Sequence, residues 1–206
     1  MAVALRIKEM ILLLAVLIGF LVGLSLASWY KQPYAAPNLQ AIWLAVVAFL
    51  PQLFIAYLPV THELFNNGFA SLSLLTSLIL FFIFAWLNRH LPGMPILIVG
   101  LLLNFVVMVV NGGWMPIAPQ TASVLAGKNV LLFMNLGSRF GEKDILLLAQ
   151  NIHLQFLADR FLPPAWFPYK VAFSLGDVLI SIGAFWLLAK PTAKLNSLNT
   201  EEGVVL

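Results

Sequence analysis

The chain has 206 residues, 62% of them hydrophobic and only 9% charged, whereas soluble domains carry about 45–50% apolar and about 25% charged residues. That leaves too little polar surface for water, which excludes a soluble fold, and the high hydrophobicity excludes intrinsic disorder. Eleven Lys and Arg against eight Asp and Glu give +3, too small and scattered an excess to hold nucleic acid. With no cysteine, disulfides, thiolate metal ligands and cysteine nucleophiles are all absent.

The composition reads as an all-α polytopic membrane protein, a single domain over 1–206 with about five transmembrane helices. The first charge-free run is 10–30, long enough for a hydrocarbon core of about 30 Å. Ala15, Gly19, Gly23 and Ala27 recur along it every four residues. Small residues at that spacing let another helix approach closely, within the chain or across a homodimer seam. Arg6, Lys8 and the small residues of Ser25-Leu26-Ala27 also fit a cleavable signal peptide, a reading that Glu9 and the length of the run oppose.

The second span is 39–60, kinked by Pro51. The third, 68–87, closes on Asn88-Arg89-His90-Leu91-Pro92-Gly93, a polar turn with two helix breakers. The fourth is 94–110. Its Gly100, Asn104 and Asn111 share one face, since seven residues are nearly two turns, and two amides there face the bundle interior rather than lipid.

The segment 112–174 follows as an extracytoplasmic cap. Within it Ile145–Leu157 is apolar but interrupted by Gln150, Asn151, His153 and Gln155. It reads as a short sixth span, a re-entrant helix or an interfacial one. The last span is 175–189, and the polar tail 192–206 is expected to be disordered. His62-Glu63 and His90 have no metal-ligand spacing, so no metal and no cofactor is expected.

Orientation follows from Lys and Arg near span ends. Five spans put Arg6, Lys8, Lys128, Arg160 and Lys170 against Lys31, Arg89, Lys190 and Lys194, which decides nothing. Six spans put Arg6, Lys8, Lys128, Arg139, Lys143, Lys190 and Lys194 against Lys31, Arg89, Arg160 and Lys170, which favours the amino terminus inside. With a cytoplasmic carboxyl tail, either count places 159–177 outside, in a multi-pass protein of the bacterial cytoplasmic membrane.

Asp159 and Asp177 are the candidates for chemistry. Pro163, Pro164 and Pro168 between them let the chain turn back, so both carboxylates can meet at one interfacial mouth. Two such groups within hydrogen-bond reach share a proton, activate water and protonate a leaving amine. Asn111, His153, Arg160 and Ser174 would support them. The plainer reading is structural. Ser174-x-x-Asp177 is a capping-box pattern, its carboxylate suits the helix dipole, and Asp159 beside Arg160 makes an interfacial ion pair.

Two resemblances add to this. The ordered motifs Asn88-Arg89-x-Leu91-Pro92-Gly93, Leu103-Asn104, Asn111-Gly112-Gly113-x-Met115-Pro116, Leu157-Ala158-Asp159 and Ser174-x-Gly176-Asp177-Val178-Leu179-Ile180 resemble a bacterial membrane family, domain of unknown function 5317. That resemblance implies five spans with the amino terminus outside, and no known activity. Five spans also put Asn111, Gly112, Trp114, His153, Asp159 and Asp177 on one side. Locally, Asp159-Arg160 followed by Phe173-Ser174-Leu175-Gly176-Asp177 is similar to the aspartate motifs of lipoprotein signal peptidase, with Ser174 in place of that family's asparagine and Gly176 in place of its alanine. It implies a catalytic aspartate pair.

Two functions therefore stand. One is an intramembrane aspartyl hydrolase acting on a peptide or lipidated segment. The other is a non-catalytic membrane subunit, binding lipids or a membrane-protein partner, in which Asp177 only caps the last helix. A transporter would call for inverted repeats with two broken helices, and only the Asn111-Gly112-Gly113 break is present.

Overall fold

The computed structural model describes residues 10–57, 67–141, 143–164 and 166–190. Five apolar helices form where the charge-free runs predict them: α1 (Met10–Trp29), α2 (Ile42–Tyr57), α3 (Asn67–Leu87), α4 (Met94–Val110) and, after a long insertion, α6 (Leu175–Ala189). By length and composition α1 and α3 are long and apolar enough to cross a membrane; α4 and α6, with 17 and 15 residues, are apolar but shorter. Residues 58–60, His62-Glu63 and the tail 192–206 lie outside the described residues.

The breakers act as the polar turns suggest. Asn88 ends α3 by donating from Nδ2 to Phe84 O at 2.8 Å and to Gln40 O at 2.9 Å, while its Oδ1 accepts from Gln40 N at 2.7 Å. One amide thus finishes a helix and ties it to the segment leading into α2. Gly93 starts α4 at φ 84, a left-handed conformation that glycine adopts without strain. It is doubly required, because a Cβ there would run into the backbone oxygen of Gly183 in α6. Pro51 lies inside α2, and Ser77 of α3 bonds to both Ala48 O and the Gln52 side chain beside it.

Residue contacts give the helix directions. Gln40 meets Asn88 and Ala48 meets Ser77, so α2 and α3 are antiparallel. Gly93 meets Gly183, and Gly100 meets Gly176 and Ile180, so α4 and α6 are antiparallel. Gly19 abuts Phe185 and Gly23 abuts Leu188, so α1 and α6 run parallel. The stripe of small residues on α1 therefore packs within the chain. Gly19, Gly23 and Ala27 are buried, while Leu13, Leu17 and Leu21 stand outward, exposed.

The segment between α4 and α6 departs from the all-α expectation. It holds a three-stranded sheet of order β1-β3-β2, formed by β1 (Met115–Ile117), β2 (Arg139–Phe140) and β3 (Asp144–Leu146), with a short helix α5 (Pro119–Ala126). β1 and β3 pair in parallel, Met115 opposite Asp144, and β2 pairs antiparallel to β3. The sixth-span, re-entrant and interfacial-helix readings of Ile145–Leu157 are thereby corrected. That stretch continues strand β3 and then forms two 3-10 turns, Ala149–Asn151 and Gln155–Leu157. A short apolar run bounded by turn residues suits a buried strand as well as a helix, and here pairing with Met115–Ile117 decides.

Three apolar clusters hold the parts together. Ile117, Ala122, Val130, Leu146 and Ala172 form the interior of the cap. Trp114, Met115 and Leu157 of the cap pack on Ala70 and Leu74 of α3 and on Val107 and Met108 of α4. At the opposite end of the bundle Ala85, Leu91, Met94, Leu101 and Leu187 close α3, α4 and α6 together.

A leucine at Gly19 meets the Phe185 backbone, whose oxygen would lie 2.7 Å from a Cβ. Gly19→Leu is expected to cost about 1–3 kcal/mol by overpacking, whereas Leu17→Ala on the outward face should stay within about 0.5 kcal/mol. Thermal unfolding of both variants in the same detergent separates them.

Candidate functional site

The first turn of α6 organises the polar site. Ser174 is its N-cap, with Oγ accepting from Asp177 N at 3.0 Å, while Asp177 Oδ2 accepts from Ser174 N at 3.2 Å. This reciprocal capping box satisfies two orphan N–H groups, and a cap of this kind is worth about 1 kcal/mol.

Asn104 of α4 faces it. Asn104 Nδ2 donates to Asp177 Oδ1 at 2.8 Å, and Ser174 Oγ donates to Asn104 Oδ1 at 2.9 Å. The approach needs missing side chains on both helices. A Cβ on Gly176 would collide with Asn104 Oδ1, and one on Gly100 would lie 2.6 Å from Gly176 O. Asn104, placed by its face of the span as a packing residue, is thus also a direct partner of Asp177.

The cation of the site comes from the cap. Lys143 sits in the turn between β2 and β3, where its carbonyl accepts from Met115 N at 2.9 Å. Its Nζ lies 3.4 Å from each carboxylate oxygen of Asp177. The two side chains are 29% and 24% exposed, so water screens the pair only in part. Burial pulls the Lys143 ammonium down, but Asp177, Asp159 and Asp144 together outweigh it and raise the group above its ordinary range. Asp144 opens β3 and is 2% exposed; Asp159, whose N–H donates to Pro116 O at 3.3 Å, is 1% exposed. Carboxylates from three parts of the chain therefore act on one ammonium, and Asp177 is in direct contact with it.

The expected residues divide between places. Asp159, Asp177, Ser174 and Asn104 share the site just described. Asn111 belongs to a separate joint: its Nδ2 donates to Val107 O at 2.8 Å and His153 O at 2.9 Å, and its Oδ1 accepts from His153 N at 3.0 Å. That joint uses the His153 backbone, and the His153 side chain is exposed. Arg160 is exposed as well, its guanidinium 5.9 Å from the Phe161 ring centre. Asp159 also lines a cleft of about 300 Å³, with Gln120 and Thr121 of α5 on one side and Ile152 and Gln155 on the other. Among the described residues no group of three or more His, Asp or Glu is disposed to hold a metal ion.

Sequence reasoning missed Lys143 and Asp144 as site residues. The available signal was Glu142-Lys143-Asp144, the one run of three charges in a chain that is 9% charged.

The sequence model of the Family of unknown function (DUF5317) matches residues 37–189. The chain belongs to that family. The matched stretch of DUF5317 contains Asn104, Lys143, Asp144, Asp159, Ser174 and Asp177, so the whole polar site lies inside it. An uncharacterized protein of Thermotoga maritima is 32% identical over 120 residues, 57% of this chain and 62% of that protein. The chain thus covers less than two thirds of that relative's length. No solved structure matches.

Removing the ammonium leaves Asp177 without its cation and takes away a charge that Asp159 and Asp144 also act on. Lys143→Met is expected to cost about 1–2 kcal/mol, between the values for an exposed pair and a buried one, because water reaches both side chains in part. Because the folded Lys143 value is raised, its contribution is complete below the unfolded lysine value of about 10.4 and shrinks as pH climbs from there through the folded value. The stability gap between wild type and Lys143→Met should stay flat from neutral pH into the mildly alkaline range and narrow only above it. Denaturation midpoints taken across that series test this.

Proposed function

We propose that this DUF5317 member is a five-span, multi-pass protein of the bacterial cytoplasmic membrane. Its folded extracytoplasmic cap, 112–174, is fastened to the bundle at Asp177, and it serves as a non-catalytic subunit that binds lipid or a membrane-protein partner. Two features support five spans. The outward faces of the bundle helices are apolar, as lipid as solvent requires. The parallel run of α1 and α6, set by the Gly19–Phe185 and Gly23–Leu188 contacts, needs an odd number of alternating crossings. α1, α2, α3, α4 and α6 supply five.

One observation favours a structural Asp177. Its oxygens accept from Ser174 N and Asn104 Nδ2 and face Lys143 Nζ. An aspartate pair that hydrolyses a peptide bond works by sharing a proton between two carboxylates. Here an ammonium is the element that Asp159 and Asp177 hold in common. That shared position, together with the likeness to lipoprotein signal peptidase, is what favours the second reading, an intramembrane aspartyl hydrolase.

The two readings part on conservative variants. Asp159→Asn and Asp177→Asn should lower stability while leaving the termini of membrane proteins in the cell unchanged. Accumulation of an unprocessed precursor in both variants, at wild-type protein levels, would establish the hydrolase. Topology is tested by adding single cysteines to this cysteine-free chain. Asn135→Cys should react with an impermeant maleimide in intact cells, and His90→Cys only after permeabilisation. The reverse pattern inverts the orientation.

A further inference from the structure

Two neighbouring loops of the cap expose an unusual amount of apolar and aromatic surface. In the first, Leu132 is 81% exposed, and Lys128 Nζ lies 4.2 Å from the centre of the Phe133 ring. The second is pinched at its base, where Phe161 and Phe173 pair through backbone bonds of 3.1 and 3.0 Å and stack their rings. It carries Trp166, which is 80% exposed and in edge contact with Phe167, which in turn touches Tyr169. The loops lie side by side, since Lys170 Nζ is 3.9 Å from where a Cβ on Gly127 would stand.

The height of the second loop is constrained. Its base at Phe173 is one residue from Ser174, the N-cap of α6. The loop therefore springs from the level at which α6 begins, and Leu175, the first helical residue, is itself exposed. Apolar surface thus continues from the outward face of α6 on to the loop.

The residue chemistry selects the occupant. Trp and Tyr have amphipathic rings that settle at the headgroup level, and Lys reaches from apolar surroundings to phosphate. Anionic lipid attracts each such lysine. A protein–protein contact surface shares the aromatic residues but is depleted in lysine, so the two lysines make the difference. Lys128 and Lys170 flanking Leu132, Phe133, Trp166 and Tyr169 are the pattern of a lipid interface.

We propose that the loops around Leu132 and Trp166 form a foot of the cap that dips into the headgroup layer of the adjacent leaflet, with Lys128 and Lys170 on anionic lipid phosphates. This rests on the bundle being membrane-embedded, so the test carries its own control. Leu132→Cys, Trp166→Cys and, on the outward face of α2, Val46→Cys are labelled singly with an environment-sensitive fluorophore in the full chain. The proteins are reconstituted in nanodiscs of phosphatidylcholine with and without phosphatidylglycerol.

The two loop positions should show blue-shifted emission, quenching by headgroup-attached nitroxide lipid and resistance to aqueous iodide. Phosphatidylglycerol should strengthen the shift, and Lys128→Glu with Lys170→Glu should abolish that strengthening. Val46→Cys should be quenched by acyl-chain nitroxide. Iodide-accessible loops beside a lipid-quenched Val46→Cys overturn the foot and leave the spans standing; such loops serve a protein partner or none. An iodide-accessible Val46→Cys overturns the membrane-embedded bundle and the foot together.

Discussion

The fold depends on how closely other helices can approach α6. In the membrane-embedded bundle proposed above, lipid tails are as apolar as the helices, so burying leucine gains little and association comes from close contact. α6 achieves that on two sides by the absence of side chains. Gly19 and Gly23 of α1 lie against the backbone at Phe185 and Leu188, and Gly93 and Gly100 of α4 lie against Gly183 and Gly176. The same closeness brings Asn104 to Ser174 and Asp177. Packing and polar site are one arrangement, because a wider crossing would leave both the amide and the carboxylate short of their partners.

The polar site in turn decides where the cap sits. Aliphatic contacts such as Leu157 against α3 and α4 are forgiving of a sliding cap. An ammonium that must meet Asp177 while staying near Asp144 and Asp159 is not. Burying charge is costly and adds little net stability over a well-packed apolar alternative. Its effect here is positional, and further polar joints share it: Arg139 Nε bonds to Asn67 at the start of α3 at 2.8 Å and its guanidinium sits over Trp114, while Asn111 holds the backbone at His153.

The helices were legible because lipid and breakers write themselves into composition. Charge-free runs mark the bundle helices, and Asn88, Gly93, Ser174 and Lys190 punctuate them through local chemistry that acts within a turn or two. The capping box at Asp177 was legible for the same reason. The cap was not. Its strands are two or three residues long, too short for any periodicity, and they exist because Met115–Ile117 finds Asp144–Leu146 across some 30 residues. The pairing of Lys143 was hidden likewise, since its partner lies 34 positions along the chain and the charge run at 142–144 does not point to it. Asp159 and Asp177 were singled out as a pair from the sequence, and the side chain that faces the Asp177 carboxylate is a lysine.

The parallel pairing of α1 with α6 has a consequence for biosynthesis. The helix that α1 and α4 both grip follows the other bundle helices in the sequence. Until it is made, the glycine stripe of α1 has no backbone to pack on, Asn104 lacks its partners, and the cap has no Asp177 on which to settle. A nascent chain halted before Ser174 would hold four bundle helices, with the surfaces of α1 and α4 that meet α6 unused. The appearance of one 15-residue segment then engages them together, so assembly resembles a closing step more than a gradual accretion.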